Sequence, residues 1–379
     1  MNVPFLDLRA QDRAVGAAVR AAVTAVLDDQ QCILGPHVER FEAAMAAFCG
    51  VPHAVGVGSG TDALLMTLQA LGVGPGTAVL TTPFSFFATA STIARLGARP
   101  LFADIDPRTY NLDPAATAEA LDRAEVPVVG LLPVHLFGRA ADLPALGALA
   151  ERHGCWLVED AAQAVGGEVA GVRAGAVGRA GCLSFYPTKN LGGIGDGGMI
   201  LTRDAALAAR LRQERHQGQT APYEHGSLGA CSRLDAVQAA ALGAKLPHLP
   251  AWNARRREVA GWYAARFAAA GLAGDAGAPL VLPEPAGASH VFHVYAVRAR
   301  ARDALREHLA RAGIGTQVYY RTLLHRQPPL RELALVPLPL VEAERAAAEV
   351  LALPIFPELD EAQVDAVVAA VADFYRRAL

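Results

Sequence analysis

Short apolar runs alternate along the chain with stretches whose apolar residues recur every three or four positions. The first such stretch, about 14–31, has the Ala/Val spacing of an amphipathic helix. A second opens at Pro36 and runs to about 48. AVGVGSG (54–60) reads as a strand entering a Gly/Ser turn, and TDALLMTLQALG (61–72) as a helix stopped by Gly72. TAVLTT (77–82) predicts a strand and SFFATASTIARLG a helix, while ARPLFADI, PVVGLLPV and CWLVED predict further buried strands. This alternation implies an α/β fold with a mainly parallel sheet covered by helices, whose ligands sit at the carboxyl ends of the strands.

Near 247 the pattern changes. PHLPAWNARRREVAGWYAARF predicts a long helix with a basic face, on which Arg255, Arg256 and Arg257 read as solvated. HVFHVYAVRA (290–299) alternates like a half-buried strand, RDALREHLARAG is helical, and a last helix covers about 361–376. The expected division is a large domain over 1–250, including the N-terminal helical segment, and a smaller C-terminal α+β domain over 251–379.

A chain of 379 residues with 53% hydrophobic content is no disordered segment and has room for two domains. A net charge of −3 gives no reason to expect nucleic acid or a membrane surface as a partner. The five cysteines contain no CxxC pair, which is neither a zinc spacing nor a disulfide framework. No metal site is expected, and a reducing, cytoplasmic compartment fits. MNVPFLDLRAQD carries no signal-peptide pattern, and no later run has the length of a spanning helix.

Lysine usage adds something. Only Lys189 and Lys245 are lysine, and every other basic side chain is arginine. Lys189 stands in LSFYPTKNLGGIGDGG, just before a glycine run. Of the two residue types, lysine alone has an amine that readily loses its proton and attacks a carbonyl. The glycines do not follow the dinucleotide-binding spacing, which disfavours a nicotinamide site.

Three other strand ends can be read with it. Ser59-Gly60-Thr61-Asp62 is either an ordinary helix cap or a phosphate cradle. Asp160 ends a buried strand with Gln163 one turn on, and a carboxylate there needs a cation, whether arginine or a protonated ring nitrogen. PFSFFATAST clusters aromatics at a corner, where one could stack on a flat ring while the others pack in the core. A cradle, a stacking face, an acid and an amine are together what pyridoxal phosphate requires. Asp160 would keep its ring nitrogen protonated, and Lys189 would hold its aldehyde and shuttle the proton.

GSGTDALLMTLQALGVGPG, PVHLFGRAADLPAL, VEDAAQAVGG, LSFYPTKNLGGIGDGG and SRLDAVQAA, in that order, resemble the DegT-type (DegT/DnrJ/StrS) nucleotide-sugar aminotransferase family; VPFLDL, VYYRTLLHRQP and LALPIFPEL look like it too. The resemblance covers nearly the whole chain. It implies the fold-type-I architecture of pyridoxal-phosphate-dependent transferases, a homodimer with shared active sites, and amino transfer, usually from L-glutamate, to a nucleotide-linked keto sugar. By resemblance Lys189 is the Schiff-base lysine, Asp160 the ring-nitrogen partner, Gln163 the neighbour of the ring hydroxyl and Phe86 the stacking aromatic. Gly60, Thr61 and Ser184 match the phosphate contacts. Tyr319, Tyr320 and His325 match the segment lining the sugar-nucleotide site.

The chain departs from the family at Cys231, where many members carry an asparagine that reaches the partner subunit's cofactor phosphate. Arg233, two residues on, is a possible substitute contact. Arg321 and Leu323 stand where proline is common. The motifs lean towards dTDP- or UDP-linked 3-keto sugars. The alternatives are 4-keto sugars on GDP or UDP, or an aminocyclitol. A sugar dehydratase would carry histidine at the lysine position, and a silent regulatory homologue would have lost Lys189 or Asp160.

Overall fold

The computed structural model describes residues 1–274 and 277–378. Helix α1 (Leu8–Asp29) starts earlier than its apolar periodicity, because Asp7 caps it. Its carboxylate accepts from the N–H groups of Arg9 at 2.9 Å and Ala10 at 3.1 Å. Helix α2 (Pro36–Cys49) opens on Pro36 as the sequence indicates and closes at Gly50, whose φ is 69°. Then β1 (His53–Val57), α3 (Gly60–Ala70), β2 (Ala78–Thr81), α4 (Ala88–Arg95), β3 (Arg99–Phe102), α5 (Pro114–Asp122), β4 (Val128–Leu132), α6 (Leu143–Arg152) and β5 (Trp156–Asp160) alternate. A hairpin of β6 (Glu168–Val169) and β7 (Val172–Arg173) precedes β8 (Ala180–Ser184) and β9 (Gly198–Thr202). Helix α7 (Ala205–Glu214), a second hairpin of β10 (Gln219–Ala221) and β11 (Glu224–His225), and α8 (Ala236–Lys245) complete this part.

Seven strands form one sheet in the order β1-β9-β8-β5-β4-β2-β3. Strand β9 runs antiparallel to β1 and β8, and the remaining neighbours are parallel. The carboxyl ends of β1, β2, β4, β5 and β8 therefore share one edge. That topology brings together the four chemistry-bearing strand ends picked out in the sequence.

Helix α9 (Leu249–Ala269) leaves this body, with Leu249 in a core under the large sheet and Val259, Tyr263 and Phe267 in another core. The second core belongs to a three-stranded sheet, β12 (Leu280–Val281), β13 (Tyr295–Ala299) and β14 (Val350–Leu353), with β13 in the middle. Helices α10 (Arg302–Arg311), α11 (Val341–Glu349) and α12 (Glu361–Ala378) accompany it. The N-terminal residues join this core too. Val3 is fully buried there, donating to Gly313 at 3.0 Å and accepting from Gly315 at 2.9 Å.

Two expectations change. The 290–299 stretch is a strand only from Tyr295, and all five strand residues are buried. Tyr295, Val297 and Ala299 enter one core and Ala296 enters another, so the alternation separates two cores rather than core from water. The basic triplet is no solvated face. Arg256 is buried, and its Nη1 donates to the carbonyls of Phe292 and Ile355, both at 3.0 Å.

One buried polar hub supports the active edge. The N–H of Ala141 donates to His135 Nδ1 at 3.0 Å, so the proton on Nε2 goes to Glu159, 2.8 Å away. Glu159 also accepts from the N–H groups of Gly175, Val177 and Gly178 at 2.7–2.8 Å. Burial pushes this carboxyl up, but the His135 hydrogen bond and the backbone donors outweigh it, and it lies below its ordinary value. Replacing Glu159 with alanine strands these donors and should cost about 3 kcal/mol or more, read as a lower denaturant midpoint. Because the folded value is depressed, the contribution is complete above the ordinary glutamate range and disappears as pH falls through the folded value. The stability gap between wild type and Glu159→Ala should therefore narrow in acid, by the part that depends on the carboxylate charge.

Candidate active site

Adjacent residues on a strand face opposite ways. Glu159 turns to the hub, and Asp160 turns to the edge where the strand ends meet. Asp160 Oδ2 accepts from Thr89 Oγ1 at 2.8 Å, and Oδ1 accepts from Ala162 N–H at 3.3 Å. Thr89 spends its proton on Asp160, so Ser85 donates the hydrogen bond that links the two hydroxyls at 2.9 Å. Burial pushes the Asp160 carboxyl up, and the Thr89 bond, the Ala162 N–H and the Lys189 charge only partly offset it. A cation facing this carboxylate would remove the imbalance, as the protonated ring nitrogen of pyridoxal phosphate would.

Gln163 is oriented by the loop after β4. Phe137 N–H donates to its Oε1 at 2.7 Å, so Nε2 points the other way and donates to Tyr320 OH at 3.1 Å. The loop is itself fixed, since Leu136 N–H donates to Asn111 Oδ1 at 2.9 Å and His135 N–H to the Asp160 carbonyl at 3.0 Å. Tyr320 packs edge-on against Phe84, with centroids 6.1 Å apart. Burial raises its phenol.

Lys189 lies in the loop between β8 and β9. Burial pushes its ammonium down to about 8, while the Asp160 charge pulls the other way. Its neighbour Asn190 donates through Nδ2 to Asn253 Oδ1 at 2.8 Å and to the Val291 carbonyl at 3.0 Å. Its Oδ1 then faces His293 Nδ1, 3.2 Å away, which must carry the proton. The second lysine serves the same loop, with Lys245 Nζ donating to the Gly192 carbonyl at 2.7 Å.

The proposed cradle is equally tight. Ser59 accepts from Asp62 N–H at 3.0 Å and caps α3, so the cap reading holds for Ser59, and Gly60 and Thr61 form the first helical turn. A side chain at Gly60 would place its Cβ 2.7 Å from Ser184 Cβ, and one at Gly198 would run into the Ser59 carbonyl. Glycine at these two positions brings the α3 N-terminus against the ends of β8 and β9. Phe84 is core, whereas Phe86 is 58% exposed at the same edge, open to stack.

The other sequence-singled residues lie further out. His325 packs on Phe102, with centroids 6.1 Å apart, and its Nδ1 is buried without a partner among the described residues. Tyr319 sits beside Tyr320. Cys231 is exposed and accepts from Arg233 Nη2 at 2.9 Å, while Arg233 Nη1 lies 2.9 Å from His216 Nδ1. Ser232 Oγ accepts from Gly58 N–H at 3.3 Å, setting this segment beside the cradle. Sequence reasoning missed Thr89, Asn190 and His293. A hydroxyl in a helix and an amide in a turn carry no signal of their own. Among the described residues no cluster of His, Cys, Asp and Glu could hold a metal, and no helix is long and apolar enough to cross a membrane.

These residues fit pyridoxal phosphate on geometric grounds: a cradle that excludes side chains, an open aromatic face, an under-compensated acid and a depressed amine. A profile of the DegT/DnrJ/EryC1/StrS aminotransferase family matches residues 14–372. The chain is 46% identical to a "Pleiotropic regulatory protein" of Geobacillus stearothermophilus, over 99% of each chain. It is 42% identical to the UDP-N-acetyl-3-dehydro-alpha-D-glucosamine 3-aminotransferase of Acidithiobacillus ferrooxidans, over 100% of this chain and 98% of the relative. It is 42% identical to the dTDP-3-amino-3,4,6-trideoxy-alpha-D-glucose transaminase of Streptomyces venezuelae, over 99% and 97%. Among solved structures, S. venezuelae DesV in complex with a ketimine intermediate superposes with a TM-score of 0.92 at 42% identity, covering 98% of both chains.

The depressed amine is directly testable. In the cofactor-free protein, acylation of Lys189 followed by peptide mapping should reach half its maximal rate near pH 8, against about 10.4 for an ordinary lysine. Asp160→Asn removes the charge that holds the proton on and should move the midpoint lower. An unshifted midpoint near the ordinary value would refute the environment described.

Proposed function

The chain belongs to the DegT/DnrJ/EryC1/StrS aminotransferase family, which works with pyridoxal phosphate, and on that premise we propose that it moves an amino group from an amino acid, L-glutamate, to a 3-keto sugar carried on UDP or dTDP. The observation that carries the reading is the pair formed by Lys189 and Asp160, an amine and an acid held at the ends of the neighbouring strands β8 and β5. The cofactor supplies an aldehyde for amines and a ring that takes up electrons from the substrate carbon. The N-terminal turn of α3, with Gly60, Thr61 and Ser184, receives its phosphate. Phe86 would cover one ring face, Asp160 would keep the proton on the ring nitrogen, and Gln163 Nε2 would serve the ring hydroxyl. Lys189 is the residue that would hold the aldehyde, and its amine would take and return a proton at the substrate carbon.

The 3-keto preference is supported by the two relatives named as acting on UDP- and dTDP-linked sugars. Tyr319, Tyr320, His325 and Arg233 are the side chains assigned to that substrate. A second copy of the chain is supported by the β10–β11 region, where Tyr223 is 95% and Leu228 91% exposed. The five free cysteines suit the cytoplasm. The division at residue 250 follows the chain's passage into α9 and remains part of this proposal.

The test is a half-reaction screen, in which holoenzyme is aminated with L-glutamate and then offered keto sugars on different nucleotides, followed by absorbance. Discharge by UDP- or dTDP-3-keto sugars is expected, and discharge only by 4-keto sugars would replace the assignment. Lys189→Arg should abolish both half-reactions. A protein that binds cofactor but turns over nothing would overturn the aminotransferase reading. Asp160→Asn should keep cofactor while turnover falls by on the order of a hundredfold, since charge stabilisation in the transition state is lost. At Cys231 a thiol donates a weaker hydrogen bond than an amide. Cys231→Asn should tighten cofactor binding by roughly tenfold or more in a titration of apo-protein, with turnover at saturating cofactor unchanged. Equal affinities would mean that this position does not touch the phosphate.

A further inference from the structure

We propose that Arg256, in the cavity beside the Lys189 loop, receives a carboxylate of the amino donor. The inference rests on the aminotransferase reading above. Any amino-acid donor carries a carboxylate within a few bonds of the amine that must reach Lys189, and a carboxylate taken out of water needs a cation that is itself held in place.

A cavity of about 900 Å³ lies next to that loop, large enough for an amino acid. Thr188, which precedes Lys189, lines it together with Arg256, His293, Gln317 and Tyr319. Arg256 is 4% exposed, and among the described residues no carboxylate pairs with it within 4.0 Å. Its Nη1 is committed to the carbonyls of Phe292 and Ile355, which fixes the plane of the guanidinium. Among the described residues neither its Nε nor its Nη2 has a hydrogen-bond partner. A buried cation of fixed orientation, unpaired and facing a cavity, is a carboxylate receptor in chemical terms.

The other cations lining the cavity, Arg9 and Arg13, are exposed on α1 and stay solvated, so neither is held in place as Arg256 is. Asp7 caps α1 and pairs with Arg13 at 3.8 Å, and both are close to the surface. Glu358 is near enough to Arg256 to feel its charge without pairing, and burial holds Arg256 down at about 10 despite it. His293 is held well below its ordinary value by burial and by the charges of Lys189 and Arg256, both near enough to act on it. It is therefore neutral. With Nδ1–H given to Asn190, its Nε2 is an acceptor for the donor's ammonium protons.

The experiment separates binding from the structural clamp by comparing half-reactions of the holoenzyme. In Arg256→Lys and Arg256→Gln, the L-glutamate concentration at half-maximal amination should rise roughly ten- to a hundredfold. The keto-sugar half-reaction of the aminated enzyme should change less than about twofold. Glutarate, an unreactive dicarboxylate, should compete with L-glutamate in the wild type and lose most of that competition in the variants. Equal losses in both half-reactions would reduce Arg256 to a clamp, and an unchanged donor dependence would also overturn the proposal. A crystal of wild-type holoenzyme grown with glutarate decides the question if the variants do not fold. A carboxylate on Arg256 supports the site, and a carboxylate elsewhere, or none, overturns it. Failure of the aminotransferase reading looks different: L-glutamate would then fail to aminate the wild-type cofactor at all, while glutarate binding would still report on Arg256.

Discussion

The active edge depends on keeping one carboxylate, that of Asp160, out of water. Its two oxygens receive a hydroxyl and a single long backbone hydrogen bond. That is less than a buried carboxylate needs, and its raised protonation tendency measures the shortfall. Much of the surrounding structure keeps that shortfall from being met internally. Thr89 sits in the first turn of α4, the loop after β4 is pinned by Asn111 and Gln163, and no arginine lies within pairing distance among the described residues. Within the chain only the Lys189 charge acts against the shortfall, and it does so in part, which leaves room for a further cation.

The neighbouring residue shows the opposite solution. Glu159 is as deeply buried, but it meets a histidine and three backbone N–H groups, and its proton affinity falls. Two acids in sequence thus divide the work: one consolidates the loops behind the sheet, the other is left with capacity to bind. The division follows from strand geometry alone, since alternate side chains face alternate sides. The same economy operates in the loop after β8, where Lys189 faces the site while Asn190 ties the loop to His293, Asn253 and Val291. The buried amine and the connection to the C-terminal body are adjacent in the chain.

Most of the architecture could be read from periodicity, because strands and helices alternate with clear punctuation at Gly72, Pro36 and the glycine run before β9. Asp160 and Lys189 stood out because their residue types are costly or rare in their surroundings. What stayed hidden was whatever depends on partners distant in sequence. Arg256 sits in a triplet that looks like a solvated face, and its burial is decided by carbonyls at 292 and 355. The 290–299 stretch shows true alternation, yet both sides are dry because a second core covers what would have been the wet face. Thr89 needed the fold to bring α4 over the end of β5.

The two lysines have a further practical consequence. Lys189 is half-buried in the site and Lys245 is buried with its amine on the Gly192 carbonyl, so the outer surface offers arginine but no lysine. Reagents aimed at side-chain amines, such as succinimidyl dyes, lysine crosslinkers and amine-coupling resins, have no peripheral lysine to consume. Whatever side-chain label they leave falls on the reactive centre or on the strut behind it. Tethering this protein to a surface without disabling it calls for carboxylate chemistry or for thiol chemistry at Cys32, which is exposed and away from the segment of Cys231 beside the cradle.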